Sequence, residues 1–194
     1  MKEQFLNGHV LVLGGTRSGK SLYAQRLCES FVQNLSTTFS SKISPNLLYI
    51  ATAQALDDEM KKRIEAHKKS RGPLWHTVEE PIHIAEILNK EDEKWEVILI
   101  DCLTLWLTNL VLLDSKDILV KEKELFLTSI SSLKTPCVMV SNEVGLGIVP
   151  ENPLARHFRD EAGSLNQELA KICSHVIFVV AGIAMPIKGK GFDF

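Results

Sequence analysis

The sequence has no apolar run long enough to cross a bilayer. Its longest near the carboxyl end, Val176 to Met185, falls well short of the roughly 20 residues that a hydrocarbon core demands. Met1 to Gly8 carries charge but no long apolar stretch of the kind a signal peptide needs, so the expected location is the cytoplasm and no membrane span is expected. Cysteine is scarce. Cys28, Cys102, Cys137 and Cys173 lie far apart without a C-x-x-C pair, each in an apolar or helical context, which argues for buried free thiols rather than disulfides or zinc ligands. Charge of one sign is also lacking: a net charge of −2 gives no field of the sort that sequence-independent nucleic-acid binding relies on, and no nucleic-acid partner is expected. The local patch Lys61, Lys62, Arg63, Lys68, Lys69, Arg71 reads, in its outer residues, as the solvated face of a helix. No internal period repeats, and the one low-complexity stretch, Leu35 to Ser44, is Ser/Thr-rich and reads as a surface loop.

What is present is a chain of 194 residues, 45% hydrophobic and 24% charged, with the length and composition of one domain over residues 1–194. Four short runs rich in β-branched residues stand out, His9 to Leu13, Leu47 to Ala51, Val97 to Ile100 and Cys137 to Val140, with a fifth at Val176 to Val180. Their hydrophobicity is continuous rather than alternating, as in strands covered on both faces. Between them the period becomes helical. Ala24, Leu27, Cys28 and Phe31 share one face, as do Leu56, Met60 and Ile64. Asn152 and Pro153 read as N-cap and first helical residue, ahead of Leu154, Phe158, Ala162, Leu165, Leu169 and Ile172 on a further face. This β-α alternation predicts an α/β, three-layer fold of the P-loop NTPase type, with a mostly parallel central sheet flanked by helices and ligands bound at the carboxyl ends of the strands.

Directly after the first run comes Gly14-Gly15-Thr16-Arg17-Ser18-Gly19-Lys20-Ser21, which fits G-x-x-x-x-G-K-[ST]. The chemistry needs these residue types. Glycines let backbone N–H groups curl round phosphates, Lys20 neutralises β/γ charge, and the Ser21 hydroxyl ligates Mg²⁺ at a helix N-terminus. Val97 to Ile100 ends in Asp101, a carboxylate placed to hold the same ion from the other side. Ala51-Thr52-Ala53 closes the second strand, where the Thr52 hydroxyl and backbone N–H groups are expected to face the nucleotide. Asn89-Lys90-Glu91-Asp92 matches the N-K-x-D pattern by which GTPases read guanine, but it precedes the Asp101 strand within a polar run and reads as a charged turn.

Glu59, Arg63 and His67 are spaced i, i+4, i+8, so they fall near one helical stripe that ends beside Lys68, Lys69, Ser70 and Arg71. On residue chemistry alone His67 is a surface imidazole near a helix C-terminus. The other reading is a nucleophile that attacks phosphorus, with the neighbouring cations countering phosphate charge. Of the other histidines, His9 opens a strand, His175 precedes the last one, and His76, His83 and His157 read as surface groups.

Taken together, Gly14 to Ser21, Tyr49 to Ala53, Leu56 to Met60 with Arg63, Ile64, His67 and Lys68, Asp101 to Thr104, Ser141 to Gly145, Gly147 to Asn152, and Leu154 to Asp160 resemble one family nearly end to end. It is the bifunctional adenosylcobinamide kinase / adenosylcobinamide-phosphate guanylyltransferase of cobalamin biosynthesis. The resemblance implies two reactions on a corrinoid small molecule: phosphorylation of adenosylcobinamide by ATP or GTP, then transfer of GMP from GTP to adenosylcobinamide phosphate. It implies a guanylylated histidine at His67, reversing the bland reading of that residue. It also implies nucleotide contacts at Ala51, Thr52, Ala53, Lys68, Lys69, Ser70, Arg71, Glu79 and Asp101, with Glu79 as a guanine reader. A small ring-like homo-oligomer, a trimer, is implied as well.

One P-loop serving two reactions creates a tension, because the kinase step needs attack at the γ-phosphorus and guanylylation at the α-phosphorus; the expectation is a mobile His67 helix. Two departures stand beside the resemblance: Glu29 to Asn46 is long for the family, and Ala66 precedes His67, so no neighbouring imidazole assists it. Asn142 and Glu143 end a strand at the active edge, and Arg156 and Arg159 are open to corrinoid-phosphate or structural roles. The competing functional classes are a P-loop small-molecule kinase or NTP hydrolase in which His67 is structural, and a nucleotide-gated binding module.

Overall fold

The computed structural model describes residues 8–39, 46–54 and 72–192. In chain order its elements are β1 (Val10–Gly14), α1 (Lys20–Phe39), β2 (Leu47–Ala51), β3 (Trp75–Glu79), α2 (Ile84–Glu91), β4 (Val97–Asp101), α3 (Leu103–Leu112), α4 (Lys116–Ser132), β5 (Cys137–Asn142), α5 (Pro153–Ile172), β6 (His175–Val180) and β7 (Ile183–Lys188). The strands form one seven-stranded sheet in the order β3-β2-β4-β5-β1-β6-β7. Every neighbouring pair is parallel except β6 with β7. The five apolar runs are therefore the five interior strands. The edges, β3 and β7, were not expected, because each leaves much of its surface to solvent and neither needs a continuous apolar run.

Alternation along each strand divides the core in two. Val10, Val12, Leu47, Tyr49, Val97, Leu99, Val138 and Val140 pack with Ala24, Leu27, Cys28 and Val32 of α1. On the other face Leu11, Leu48, Ile50, Ile98, Ile100 and Met139 meet Leu88 of α2, Trp106 of α3, Phe126 of α4 and Leu165 of α5. Trp106 is fully buried, and its Nε1 donates to the Ile82 carbonyl at 2.7 Å, so the largest core side chain leaves no polar atom stranded.

α5 begins as its sequence predicts: the Asn152 side chain accepts from Leu154 N (2.8 Å) and Ala155 N (3.3 Å), with Pro153 in the first turn. Leu154 departs from its expected core face. It is half exposed and, with Thr108, Val111, Leu112, Asn152, Ala155 and Phe158, lines an apolar groove of about 330 Å³ between α3 and α5. The expected loop at Leu35 to Ser44 is also corrected in part, since α1 runs on to Phe39. Ser and Thr cost only a few tenths of a kcal/mol each in a helix already nucleated, too little to end it. Residues 40–45 lie outside the described residues. His175 is the first residue of β6 rather than its predecessor.

All four cysteines are free. Burial pushes the thiols up, to about 11 for Cys102, where the Asp101 charge adds to it, and to about 12 for Cys173, so both stay neutral. Among the described residues no helix is long and apolar enough to cross a membrane.

Candidate active site at the carboxyl ends of the strands

Parallel register brings the ends of the strands to one edge: Gly14 lies beside Asn142, and Glu79, Ala51 and Asp101 sit side by side on β3, β2 and β4. Gly14-Gly15-Thr16-Arg17-Ser18-Gly19 forms the turn from β1 into α1. Three positions there require unusual backbone, Gly14 at φ 153°, Arg17 at φ 57° and Gly19 at φ 98°. Close approach fixes Gly14, where an added Cβ would fall 2.3 Å from the Val179 carbonyl oxygen and 2.8 Å from Ser18 Oγ. The turn is tied internally by Ser18 N to Gly15 O (3.3 Å) and externally by Gly182 N to Ser18 O (2.8 Å). Lys20 is buried, and its Nζ donates to Gly15 O at 2.6 Å, curling the ammonium back over the loop. Ser18 Oγ is buried with no hydrogen-bond partner, one of just two such side-chain atoms among the described residues. A buried, unsatisfied hydroxyl inside a glycine-rich turn at a helix N-terminus fits a cradle that an anion's oxygens would complete.

The first turn of α1 also carries Ser21. Its Oγ donates to Oδ1 of Asp101 at 3.2 Å, although β5 separates β1 from β4 in the sheet. The meeting follows from alternation: Asp101 lies two residues beyond Leu99, so both share the face that α1 covers. Oδ2 of the same carboxylate accepts from the Tyr49 hydroxyl at 2.7 Å. A hydroxyl and a carboxylate fit Mg²⁺, a hard cation that takes few protein ligands and completes its shell with phosphate oxygens and water. Among the described residues no group of three or more His, Cys, Asp or Glu side chains could hold a metal ion by itself.

Thr52 is corrected in one respect. It is fully buried, and its hydroxyl donates to Cys102 O (2.7 Å) and accepts from Cys102 N (3.0 Å), which commits it to joining β2 to the start of α3 rather than to facing a ligand. Asn109 locks the same junction, its Nδ2 donating to Thr52 O (2.8 Å) and Pro81 O (3.0 Å). Ala53 is half exposed beside it, and Glu79 is exposed at the end of β3. Arg156 is occupied with the carbonyls of Pro150 (2.9 Å) and Glu151 (2.5 Å), a loop-fastening role. Glu143 fastens its own loop by accepting from Gly145 N at 2.6 Å, and Thr104 Oγ1 accepts the Asn142 N–H at 2.7 Å. His67, Lys68, Lys69, Ser70 and Arg71, with the expected helix from Leu56 to Ile64, lie outside the described residues.

The N-K-x-D match is placed at the opposite end of the sheet. Asn89, Lys90 and Glu91 belong to α2, and Asp92 accepts from Thr135 N (2.9 Å), Thr135 Oγ1 (2.9 Å), Lys134 N (3.2 Å) and Glu93 N (2.9 Å). It is a structural clasp. Tyr49 is the site residue that sequence reasoning passed over, absorbed into an apolar strand as core. The available signal was its phenol, since a hydroxyl within a buried run needs a partner.

The model of the cobinamide kinase / cobinamide phosphate guanyltransferase family matches residues 10–187. The chain belongs to this family. Its cobinamide kinase / cobinamide phosphate guanyltransferase relatives include the bifunctional adenosylcobalamin biosynthesis protein CobP of Pseudomonas aeruginosa, 46% identical over 180 residues that cover 93% of this chain and 97% of the relative. The CobU proteins of Escherichia coli and Salmonella typhimurium are 42% and 38% identical, each over 92% of this chain and 99% of the relative. A solved structure from Pyrococcus horikoshii aligns over 95% of this chain and 87% of its own, at TM-score 0.48 and 10% identity, a likeness too loose to bear on function. Membership places the Lys20, Ser21 and Asp101 cluster in a family whose description names both a kinase and a guanyltransferase activity.

Proposed function

We propose that residues 1–194 work as one cytoplasmic catalytic domain that assembles the nucleotide loop of cobalamin in two steps. The observation that carries this is the phosphate cradle of Gly14 to Ser21 with Asp101 opposite it, in a member of this family. In the first step the aminopropanol hydroxyl of adenosylcobinamide attacks the γ-phosphorus of ATP or GTP and the nucleoside diphosphate leaves. Lys20 and the turn's backbone N–H groups carry the phosphate charge, and Ser21 and Asp101 would hold a nucleotide-bound Mg²⁺, which would supply further charge neutralisation. In the second step an imidazole nitrogen of His67 attacks the α-phosphorus of GTP, forming an N–P bond and releasing pyrophosphate. A phosphate oxygen of adenosylcobinamide phosphate then displaces the imidazole to give adenosyl-GDP-cobinamide. Ala51 and Ala53, Lys68 to Arg71, and Glu79 complete the nucleotide contacts, with Glu79 accepting from guanine N–H groups, while Thr52 holds the end of β2 to Cys102 behind them. The assembly is a small homo-oligomer, a trimer, which sedimentation of the purified protein checks.

Incubation with α-labelled GTP tests the reading. Acid-labile label is expected on the denatured protein, and His67→Ala is expected to lose the label and GMP transfer while keeping phosphorylation of adenosylcobinamide. An unlabelled wild type, or GMP transfer that survives His67→Ala, would point instead to a P-loop kinase or NTP hydrolase without covalent transfer.

A further inference from the structure

Asp101 is held from two directions. Ser21 Oγ approaches Oδ1 at 3.2 Å from α1, and the Tyr49 hydroxyl approaches Oδ2 at 2.7 Å from the neighbouring strand. A carboxylate turns broadly about its last torsion, so one partner leaves its second oxygen free to swing. Two partners on different oxygens define the carboxylate plane. The Tyr49 ring is itself fixed: it is buried in the core beneath α1, and Trp75 packs against it edge to face at a centroid distance of 5.9 Å. Trp75 is held in turn by donation from Nε1 to Glu29 Oε1 at 2.9 Å, which ties β3 back to α1.

We propose that Tyr49 is a positioning residue for the nucleotide-bound divalent cation: its phenol keeps Oδ2 of Asp101 engaged, so that Oδ1 stays turned toward Ser21. The inference rests on reading Ser21 and Asp101 as the Mg²⁺ site. Tyr49 touches neither substrate nor ion. It acts through the carboxylate, in the way that outer partners orient a ligand and tune its metal, typically worth about 10- to 100-fold in metal affinity.

The experiment titrates wild type, Tyr49→Phe and Trp95→Phe with Mn²⁺ in the presence of a saturating, non-hydrolysable GTP analogue, following free Mn²⁺ by electron paramagnetic resonance. Analogue affinity in EDTA is measured alongside. Tyr49→Phe is expected to weaken Mn²⁺ binding about 10-fold or more while leaving metal-free analogue affinity unchanged, and saturating metal is expected to restore kcat. Trp95→Phe removes an indole bond to Glu91 Oε2 on α2 and touches neither Tyr49 nor Asp101, so it is expected to bind Mn²⁺ as wild type does. Wild-type Mn²⁺ affinity in Tyr49→Phe, or equal weakening in both variants, would overturn the proposal, the latter by showing a merely structural effect. Absence of nucleotide-dependent Mn²⁺ binding in wild type would overturn the metal site and this inference together, and is distinguishable because it appears before any substitution.

Discussion

At the amino ends of the strands Asp92 accepts from Glu93, Lys134 and Thr135, and His9 Nδ1 accepts the Cys137 N–H at 3.2 Å, so polar groups there close on one another. At the carboxyl ends Ser18 Oγ has no partner, the chain turns through positive φ at Arg17 and Gly19, and a lysine is buried against a backbone carbonyl. Both ends are polar and partly buried. The difference shows at Ser18: the amino-end groups satisfy one another, whereas one buried hydroxyl at the carboxyl end is left without a partner inside a strained turn, as a site that a ligand completes requires.

The contrast is broken most forcefully at Lys20. Lys20→Ala is expected to lower kcat/KM for both reactions by about 10²- to 10³-fold, the scale of losing one preorganised charge stabiliser, with little change in Tm. A large fall in Tm with nucleotide binding intact would mean that the carboxyl end is structural after all. At the other end Asp92→Asn sharpens the contrast. It removes a charged acceptor of several hydrogen bonds and is expected to cost about 2 kcal/mol, a fall of roughly 4 to 8 °C in Tm by calorimetry, with nucleotide affinity unchanged. The smallest effect concerns pH. Burial holds His9 below its ordinary pKa of 6.5, despite the raising influences of a bond to the Ile130 backbone and of the Asp92 charge. The unfolded chain therefore takes up its proton first, so stability increases with pH and is lost as pH falls through about 6.5. His175, lowered by burial, adds the same sign. His9→Gln is expected to flatten, though not abolish, the slope of Tm measured between about pH 7.5 and 5.5.

Legibility in the sequence followed burial. Interior strands such as Val97–Asp101 must be apolar on both faces, and all five announced themselves. Trp75–Glu79 and Ile183–Lys188 each have a neighbour on one side only, and half-exposed residues obey no comparable constraint, so both went unread. The phosphate turn was legible because its steric demands admit few residues. The Tyr49–Asp101 bond was not, since it depends on which strands become neighbours, and no local pattern encodes that β2 lies beside β4. The Thr52 hydroxyl was assigned outward because the end of a strand looks accessible in sequence, whereas the chain from Cys102 folds directly over it.

The backbone bond from Gly182 to Ser18 links the turn between β6 and β7 to the very middle of the phosphate loop. Ala181 and Gly182 both adopt positive φ to present that amide, and the Gly182 Cα lies where a side chain on Gly19 would crowd it at 3.3 Å. The hairpin thus works as a buttress supplied by elements far along the chain from the turn it supports. A ribosome makes the eight-residue signature long before β6 and β7, so the turn acquires its outer support only once those two strands have emerged and paired.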